Sequence, residues 1–418
     1  MHRIQNYESL ARSPARRDML DIVEAGLTAI DTRHIIQQSI SRDGDTLRIL
    51  DHTYDLAKFR RIHVIGFGKA SCQAAAELER ILQDRLFGGV AISNHPSACT
   101  VVTVCEATHP MPSAQNVTHS QSLVAYCEQI STDDLVLIIV SGGGSAMLAW
   151  PSSECDQGIT LYTAANKKGL PILELNTVRK HLSSLKGGGL ASLLAPARVV
   201  GLIFSDVPGA TPDVVASGPT FIDHTTAEDA QHIIDMYDLG TYTLTETPKN
   251  PDIFKNVENL ILLSNEAALQ AMASKANSLG YATKIIASDM YDTPQEMIGR
   301  FLSSAQTHTV ILGGGEARLM VSKSGTGGRN GHVALTAAQR ISDGAIFASI
   351  ASDGIDNGSD AGAIVDASTI LRASDAGFDI QLALKEFNER PTLTATSDIV
   401  ITGPTNANVS DLMALLIP

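Results

Sequence analysis

The 418-residue chain lacks an excess of basic residues. Lys and Arg number 31 against 45 Asp and Glu, which gives a formal net charge of −14. Such a surface argues against broad binding to nucleic-acid phosphates or to anionic lipid, so a local cluster of cations must meet any bound anion. We therefore expect small-molecule partners, with no nucleic-acid partner and no membrane partner.

Long apolar runs and a leader-like amino terminus are also missing. No stretch approaches the roughly 20 apolar residues that cross a bilayer, and the arginine-bearing start of the chain has no apolar core. The five cysteines are an odd number without C-x-x-C spacing, which argues against a disulfide framework or a structural zinc site. The sequence predicts a cytoplasmic protein, and a homodimer is left open.

Short apolar runs alternate with helical patterns along most of the chain, which predicts βα units and a mainly parallel sheet covered by helices. The chain is too long for one core, so we expect two domains. The segment 238–256 has turn formers and little periodicity, which places the boundary there. We predict domains over residues 1–240 and 256–411. A last helix within 402–418 is predicted, with packing back on the first domain as one option.

Two apolar strands break directly into three glycines, at 142–144 and at 313–315. Glycine lets a backbone pass close to a ligand, and a helix that follows would direct free N–H groups at an anion. The first of these turns lacks the G-K-[ST] ending of a P-loop, and tight packing of its glycines is the alternative. The predicted phosphate-binding residues are Ser141, Gly142, Gly143, Gly144, Ser145, Gly314, Gly315 and the basic residue Lys186.

The turn Gly66-Phe67-Gly68-Lys69-Ala70-Ser71 resembles a dinucleotide fingerprint, with serine in place of the third glycine. The next strand ends in Ser93 rather than in the acidic residue that would hold a ribose. An NAD(P)H-dependent reductase therefore stays only as an alternative. Lys69 in this turn could instead hold its charge over phosphate oxygens.

Acidic side chains follow several other strands, and carboxylates so placed commonly hold Mg²⁺ or orient a hydroxyl. Each could equally be a helix N-cap. With Lys69 and Arg329, which lies between glycines ahead of a helix, they resemble the set of groups that phosphoryl transfer needs. The acidic and amide candidates near substrate or metal are Asp206, Glu316, Asp353, Asp356, Asn330 and Asn406.

Nine ordered segments between residues 60 and 411, among them VIGFGKAS, IIVSGGGSAML, VRKHLSSLKGGGLA and GTGGRNGHVAL, resemble the glycerate 2-kinase family. The carboxyl-terminal part of that family is called the MOFRL domain. The resemblance implies an α/β enzyme with a Rossmann-like three-layer α/β/α first domain, a smaller α/β MOFRL domain and an active site in the interdomain cleft. It implies ATP and Mg²⁺ or another divalent cation as cofactors.

The activity implied is transfer of the γ-phosphoryl group of ATP to the 2-hydroxyl of D-glycerate. By the same resemblance Lys69 and Arg329 are catalytic, and Asp206 and Asp353 lie near substrate or metal. Either of these two aspartates could accept the hydroxyl proton.

Several positions depart from the family pattern. The departures are Thr108, Ser113, Gly189, Ala210 and the segment Asn357-Gly358-Ser359. The missing arginine at 189 removes a two-point clamp for a carboxylate. A four-carbon aldonate is therefore an alternative substrate, and a non-catalytic sugar-acid binder is an alternative class.

Overall fold

The computed structural model describes residues 2–205, 212–321, 325–405, 407 and 409–418. The strands are β1 Ile40–Asp43, β2 Thr46–Ile49, β3 His52–Asp55, β4 Ile62–Phe67, β5 Leu86–Ser93, β6 Val102–Glu106, β7 Leu135–Ser141, β8 Arg198–Phe204, β9 Val257–Leu263, β10 Ala282–Met290, β11 Thr309–Gly315, β12 Ile346–Ala351, β13 Gly362–Asp366, β14 Ile399–Val400 and β15 Asp411–Ile417. The helices are α1 Tyr7–Leu10, α2 Pro14–Ala29, α3 Thr32–Ser39, α4 Ser71–Leu82, α5 Ala114–Cys127, α6 Gly144–Met147, α7 Ser152–Lys168, α8 Ile172–Leu182, α9 Gly189–Leu194, α10 Ala227–Tyr237, α11 Asn265–Ser278, α12 Pro294–Ser303, α13 Arg329–Ala338, α14 Ser368–Asp375, α15 Ile380–Lys385 and α16 Glu389–Ala395.

Contacts divide the described chain into two units. The parallel-sheet unit comprises residues 35–205 and 212–262, and the mixed-sheet unit comprises residues 2–34 together with the described residues from 263 to 418. The predicted α/β class is confirmed. No helix in the described ranges is long and apolar enough to cross a membrane.

The parallel-sheet unit contains a six-stranded sheet in the order β6-β5-β4-β7-β8-β9. The pairs β4–β5, β5–β6, β4–β7 and β7–β8 are parallel. Every residue of β4 and of β7 is buried, as expected for central parallel strands covered on both faces. The chain leaves β4 toward β5 and β6, and later returns to the other side of β4 as β7. The strand order therefore reverses between β4 and β7, and open α/β sheets bind ligands at such a point.

The mixed-sheet unit contains a second six-stranded sheet, in the order β10-β11-β15-β12-β13-β14. Only the pair β10–β11 is parallel among the pairings of this sheet in the described residues. Its core packs side chains such as Phe301, Ile311, Phe347 and Leu415 together.

The closing segment corrects one prediction. Residues 411–417 form β15, which lies between β11 and β12, and not a helix. Six of its seven residues are buried, so the apolar run has no alternation to mark it as a strand. A short run of this kind fits a buried helix equally well by its pattern, which explains the wrong prediction.

The amino-terminal residues 2–34 belong to the mixed-sheet unit, although we assigned them to the first domain. Helix α2 begins at Pro14 with Ser13 as its N-cap, as the sequence predicts. The apolar face of α2 packs on α11, where Gly26 leaves room for Met272. Arg16, almost completely buried, donates to Asp398 at 3.0 Å and ties α2 to the loop before β14.

Candidate functional site

Two turns meet at the point where the strand order of the parallel-sheet unit reverses. The backbone N–H of Lys69, after β4, donates to the Gly142 carbonyl at 2.9 Å, and the Ala70 N–H donates to Ser141 Oγ at 3.1 Å. Gly68 has φ +108°, and a Cβ there would lie 2.4 Å from the Ser141 carbonyl oxygen. The close contact between the turns therefore requires glycine at 68, and it fixes the backbone of Lys69.

In the first glycine turn, residues 141–145, some residues are buried by packing and others keep accessible surface. Ser141 and Gly142 are buried, and Ser141 Oγ is engaged with the β4 turn, so this hydroxyl serves the fold. A Cβ on Gly144 would lie 2.7 Å from the Ala216 Cβ. Gly143 and Ser145 are half-buried, and Ser145 Oγ lies 2.9 Å from Ser217 Oγ. Gly143 and Ser145 are thus the members of the predicted set with surface left for a ligand.

Lys186, predicted to bind phosphate, is buried with a carboxylate partner. Its ammonium donates to Glu154 and, at 2.7 Å, to the Leu148 carbonyl. Burial raises the pKa of Glu154 and lowers the pKa of Lys186, while their mutual attraction opposes both shifts. The charge of Lys186 is therefore compensated within the protein, and its contact with phosphate stays a prediction.

Arg329 begins α13 in the mixed-sheet unit. Its guanidinium donates from Nε to Asp411 Oδ2 at 2.8 Å and from Nη2 to Asp411 Oδ1 at 3.3 Å, and Nη2 lies 3.3 Å from Glu316 Oε1. Burial acts to lower the pKa of Arg329, but the charge and hydrogen bond of Asp411, with the charges of Glu316 and Asp356, together outweigh it, and the net pKa is raised. The side chain is 38% exposed, so a fixed and charged guanidinium remains accessible to an anion.

The second glycine turn is part of a strand. Gly314 and Gly315 are buried in β11, in register with Leu412 and Asp411 of β15. A Cβ on Gly314 would lie 2.1 Å from Asn265 Oδ1, and Gly315 has φ +137°. These contacts explain the glycines by packing, and they place Asp411 beside the end of β11. Contact of Gly314 and Gly315 with phosphate stays a prediction.

Asp356 caps a helix. Its carboxylate accepts from the Asn330 N–H at 2.9 Å and from the Gly331 N–H at 2.8 Å, in the first turn of α13. Burial raises the pKa of Asp356 to about 6, aided by the charges of Asp411 and Asp360 and opposed by the two N–H donors. Asn330 is also buried, and its Oδ1 accepts from Ser349 at 2.6 Å. Asp356 and Asn330 thus hold the start of α13, where Arg329 lies.

Asp353 follows β12 and is half-buried, with Oδ1 accepting from the Ile355 N–H at 3.1 Å. Asp206 and Asn406, which were also predicted, lie outside the described residues, as does Ala210. The described residues contain no group of three or more His, Cys, Asp or Glu side chains that could hold a metal. Mg²⁺ commonly uses one or two carboxylates and substrate phosphates, so the half-buried Asp353 has the donor chemistry for one ligand.

His332 and Glu389 form a buried pair that the sequence analysis did not single out. Nδ1 of His332 lies 2.5 Å from Glu389 Oε1, and Phe387 stacks on the ring. An ionised carboxylate only accepts, so in the neutral ring it favours the tautomer with the proton on Nδ1 and the lone pair on Nε2. Both residues line a cavity of about 320 Å³ that Arg329 also lines. The arrangement can accept a proton beside a guanidinium.

Asp411 was missed because its segment was read as a helix. Like Asp353, Asp411 is an acidic residue next to an apolar run. The run precedes Asp353 but follows Asp411. Glu389 carried no such signal, since it begins the short helix α16 in a polar stretch.

Among the departures from the family pattern, Gly189 has no space for a side chain. A Cβ there would lie 2.1 Å from the Ser184 carbonyl oxygen. Thr108 and Ser113 both bond Asn116 at 3.0 Å. Asn357 has φ +58°, a conformation that asparagine tolerates, and it donates to the Gly327 carbonyl at 2.8 Å. These residues are thus satisfied within the fold.

Comparison with known proteins adds two family matches. Residues 18–247 match a domain of unknown function, DUF4147, and residues 309–411 match the MOFRL family. The chain is 30% identical over 434 residues to a glycerate 2-kinase of Pyrococcus horikoshii, covering 95% of this chain and 96% of that protein. It is 36% identical over 393 residues to an Agrobacterium vitis protein with the name "Putative hydroxypyruvate reductase", covering 85% of this chain and 99% of that one.

A crystal structure of a Thermotoga maritima glycerate kinase superposes with a TM-score of 0.84 at 30% identity, covering 96% of this chain and 99% of that chain. The fold and the matches define an α/β protein that combines a DUF4147 domain with a MOFRL domain. The chain belongs to the glycerate 2-kinase family.

Proposed function

We propose that this protein is an ATP-dependent kinase that transfers the γ-phosphoryl group to the 2-hydroxyl of D-glycerate and produces 2-phosphoglycerate. The observation that carries the proposal is the structural position of Lys69, in a chain that belongs to the glycerate 2-kinase family. Lys69 lies where the strand order reverses, on a backbone fixed by the contact between two turns. A cation and half-buried glycine amides at this point suit the phosphates of a nucleotide.

The mechanism assigns distinct tasks to the two predicted cations. Lys69 would hold its charge over the phosphates, on a turn whose backbone bonds to Gly142, next to the half-buried Gly143. Arg329 offsets the charge that develops on the transferred group, and Asp411 and Glu316 hold its guanidinium in one orientation. A preorganised cation costs no reorganisation during the reaction, which is why the pairing favours catalysis.

Asp353, with Asp206, is proposed to contribute to binding a divalent cation. When bound, Mg²⁺ would supply positive charge that offsets the charge of the phosphates. Glu316 stays among the residues proposed to lie near substrate or metal, because it contacts Arg329.

The proton of the 2-hydroxyl needs an acceptor. The sequence offers Asp206 and Asp353, and the geometry of His332 adds a third group. Glu389 orients the ring through Nδ1 and would stabilise the imidazolium that forms when Nε2 accepts a proton, as a carboxylate does in other acid–base pairs. We propose His332 as the general base because it lines the same cavity as Arg329.

The reductase alternative has little support from the first turn. Ser71 stands where the third glycine of the fingerprint would be, and its Cβ is the nearest neighbour of a Cβ built on Gly66, at 3.0 Å. Its Oγ lies 2.8 Å from the carbonyl oxygens of both Gly68 and Ile92, and its one proton is shared between them, so it has a structural role. A four-carbon aldonate stays an alternative substrate for the kinase.

The test is to incubate the purified protein with MgATP and a panel of three- and four-carbon sugar acids. ADP release is followed, and NMR locates the phosphate. Phosphate on the 2-hydroxyl of D-glycerate is the expected result. ADP release with another acid alone would contradict the substrate, and oxidation of NAD(P)H with hydroxypyruvate would contradict the reaction class. We also propose cytoplasmic action, consistent with the five free cysteines, all within the described residues.

A further inference from the structure

Arg179 lies near the end of α8 without the carboxylate partner that its neighbours have. Lys180 Nζ lies 3.1 Å from Asp223 Oδ1, and His181 Nε2 lies 3.3 Å from Glu246 Oε1. Within the described residues, no carboxylate lies at ion-pair distance from the Arg179 guanidinium. Its guanidinium carbon lies 5.8 Å from the centroid of the Tyr162 ring.

The guanidinium lines a small cavity of the parallel-sheet unit, together with Ser145, Glu154, Tyr162 and Lys186. The cavity volume of about 30 Å³ matches about two water-sized positions, at roughly 10–15 Å³ each. Two oxygen atoms on one carbon need a space of this size. The three atoms of a carboxylate group therefore fit, whereas a chain of phosphates does not.

The charge balance of the cavity favours a monoanion. Glu154 and Lys186 neutralise each other, which leaves the single positive charge of Arg179. Burial lowers the pKa of Arg179, against the opposing influence of Tyr162 and Glu154. A desolvated cation without a counter-ion is unfavourable, and an anion that binds there removes that cost.

We infer that Arg179 binds the carboxylate of the sugar-acid substrate, in a pocket completed by Ser145. This inference rests on the proposed kinase function and names the residue that selects an acid. The planar guanidinium can make two parallel N–H···O bonds to a carboxylate. It supplies the clamp that Gly189 lacks, and no arginine could enter at 189 without a shift of the Ser184 backbone.

Ser145 lies two residues after the half-buried Gly143, so an acid held by Arg179 would lie next to the proposed phosphate site. The carboxylate would then fix one end of the substrate while its 2-hydroxyl, on the adjacent carbon, remains free to react. This geometry would favour acids over neutral polyols.

The experiment compares Arg179→Gln and Arg179→Lys with the wild type in steady-state kinetics. Loss of a charged two-point hydrogen bond corresponds to about a 10- to 100-fold weaker interaction. We expect the KM for D-glycerate to rise by that factor in Arg179→Gln, less in Arg179→Lys, with an unchanged KM for ATP. Exposed Arg48 of β2 gives the matched control, and Arg48→Gln should keep both KM values.

A binding measurement separates this inference from the kinase proposal. D-glycerate should raise the melting temperature of the wild type but not of Arg179→Gln, while glycerol, which has no carboxylate, should raise neither. If the wild type binds D-glycerate through Arg179 but phosphorylates no acid, the kinase proposal fails and the inference stands.

Other outcomes would overturn the inference. A raised KM for ATP with an unchanged KM for D-glycerate would assign Arg179 to phosphate. Equal KM values for wild type and variants would leave Arg179 with no substrate contact. A melting temperature of ligand-free Arg179→Gln well below that of wild type would indicate a structural role, whereas removal of an uncompensated cation should not lower it. Arg179→Lys, which keeps the charge, supplies the comparison should the glutamine variant not fold.

Discussion

Arg329 and Asp411 form a two-point ion pair that joins the first residue of α13 to the first residue of β15, with distances of 2.8 and 3.3 Å. Asp411 is almost fully buried, whereas Arg329 is 38% exposed. The buried carboxylate of Asp411 thus anchors the pair, and part of the Arg329 guanidinium remains exposed. The residue proposed to act in catalysis is therefore also a structural counter-ion.

Arg329→Gln should lower both kcat and stability. The substitution leaves Asp411 buried without its counter-charge, and we expect a loss of about 1–3 kcal/mol in the free energy of unfolding. Urea denaturation measures this loss. The double variant Arg329→Gln/Asp411→Asn should recover much of the stability without recovering kcat. Equal losses of stability in the single and double variants would contradict the role of the pair.

Lys69→Ala should lower kcat by about 10²-fold or more, because a preorganised charge at the phosphates acts mainly in the transition state. The melting temperature should change little, since the bonds that fix the turn come from the Lys69 backbone. Lys58→Ala, at an exposed lysine of the same unit, is the control. Near-normal turnover of Lys69→Ala would remove Lys69 from the mechanism.

His332→Asn should lower kcat while the KM for ATP stays close to that of wild type, because it removes the proposed proton acceptor. Glu389→Gln should show a smaller loss, since the ring remains but its orientation is less fixed. His34→Asn, at an exposed histidine, provides the control. Full activity of His332→Asn would return the role of general base to Asp353 or Asp206.

Lys186→Met should destabilise the protein by about 3–5 kcal/mol, because it leaves the buried carboxylate of Glu154 unpaired. Glu154→Gln/Lys186→Met should recover much of that loss. The kinetics of the double variant then test the predicted phosphate contact. A stable double variant with a normal KM for ATP would rule that contact out, and a raised KM for ATP would support it.

Asp356 should make stability depend on pH. Its pKa is raised from 3.8 to about 6 in the folded protein, so the folded state holds this proton more tightly than the unfolded chain. The resulting stabilisation is fully present below about pH 4 and is lost as the pH rises through about 6. Urea denaturation gives the free energy of unfolding of wild type and of Asp356→Asn. The value for wild type minus the value for the variant should therefore fall as the pH rises from about 4 to about 7. A difference that stays constant or grows would contradict the raised pKa.

Local patterns in the sequence predicted much of the fold. The strands that contain residues 62–65, 135–140 and 309–312 were predicted from continuous apolar runs, and the structure has β4, β7 and β11 there. The antiparallel sheet of β1 to β3 was not predicted, because its four-residue strands carry mixed polar and charged side chains. For the candidate site, the sequence identified Lys69 and Arg329 from glycine-flanked turns but gave no partner for either.

The sequence by itself determined the alternation of strands and helices, and the placement of Lys69 and Ser141 where strands end, because periodicity and glycine turns are local properties. Tertiary structure alone decided that residues 411–417 are a central strand, that residues 2–34 join the mixed-sheet unit, and that Asp356 caps α13. It also decided the partners of Arg329 and Lys186, which are 82 and 32 positions away along the chain. Such pairs form because packing brings distant segments together and burial then demands a counter-charge for each ion, and no short stretch of sequence records which segments will meet.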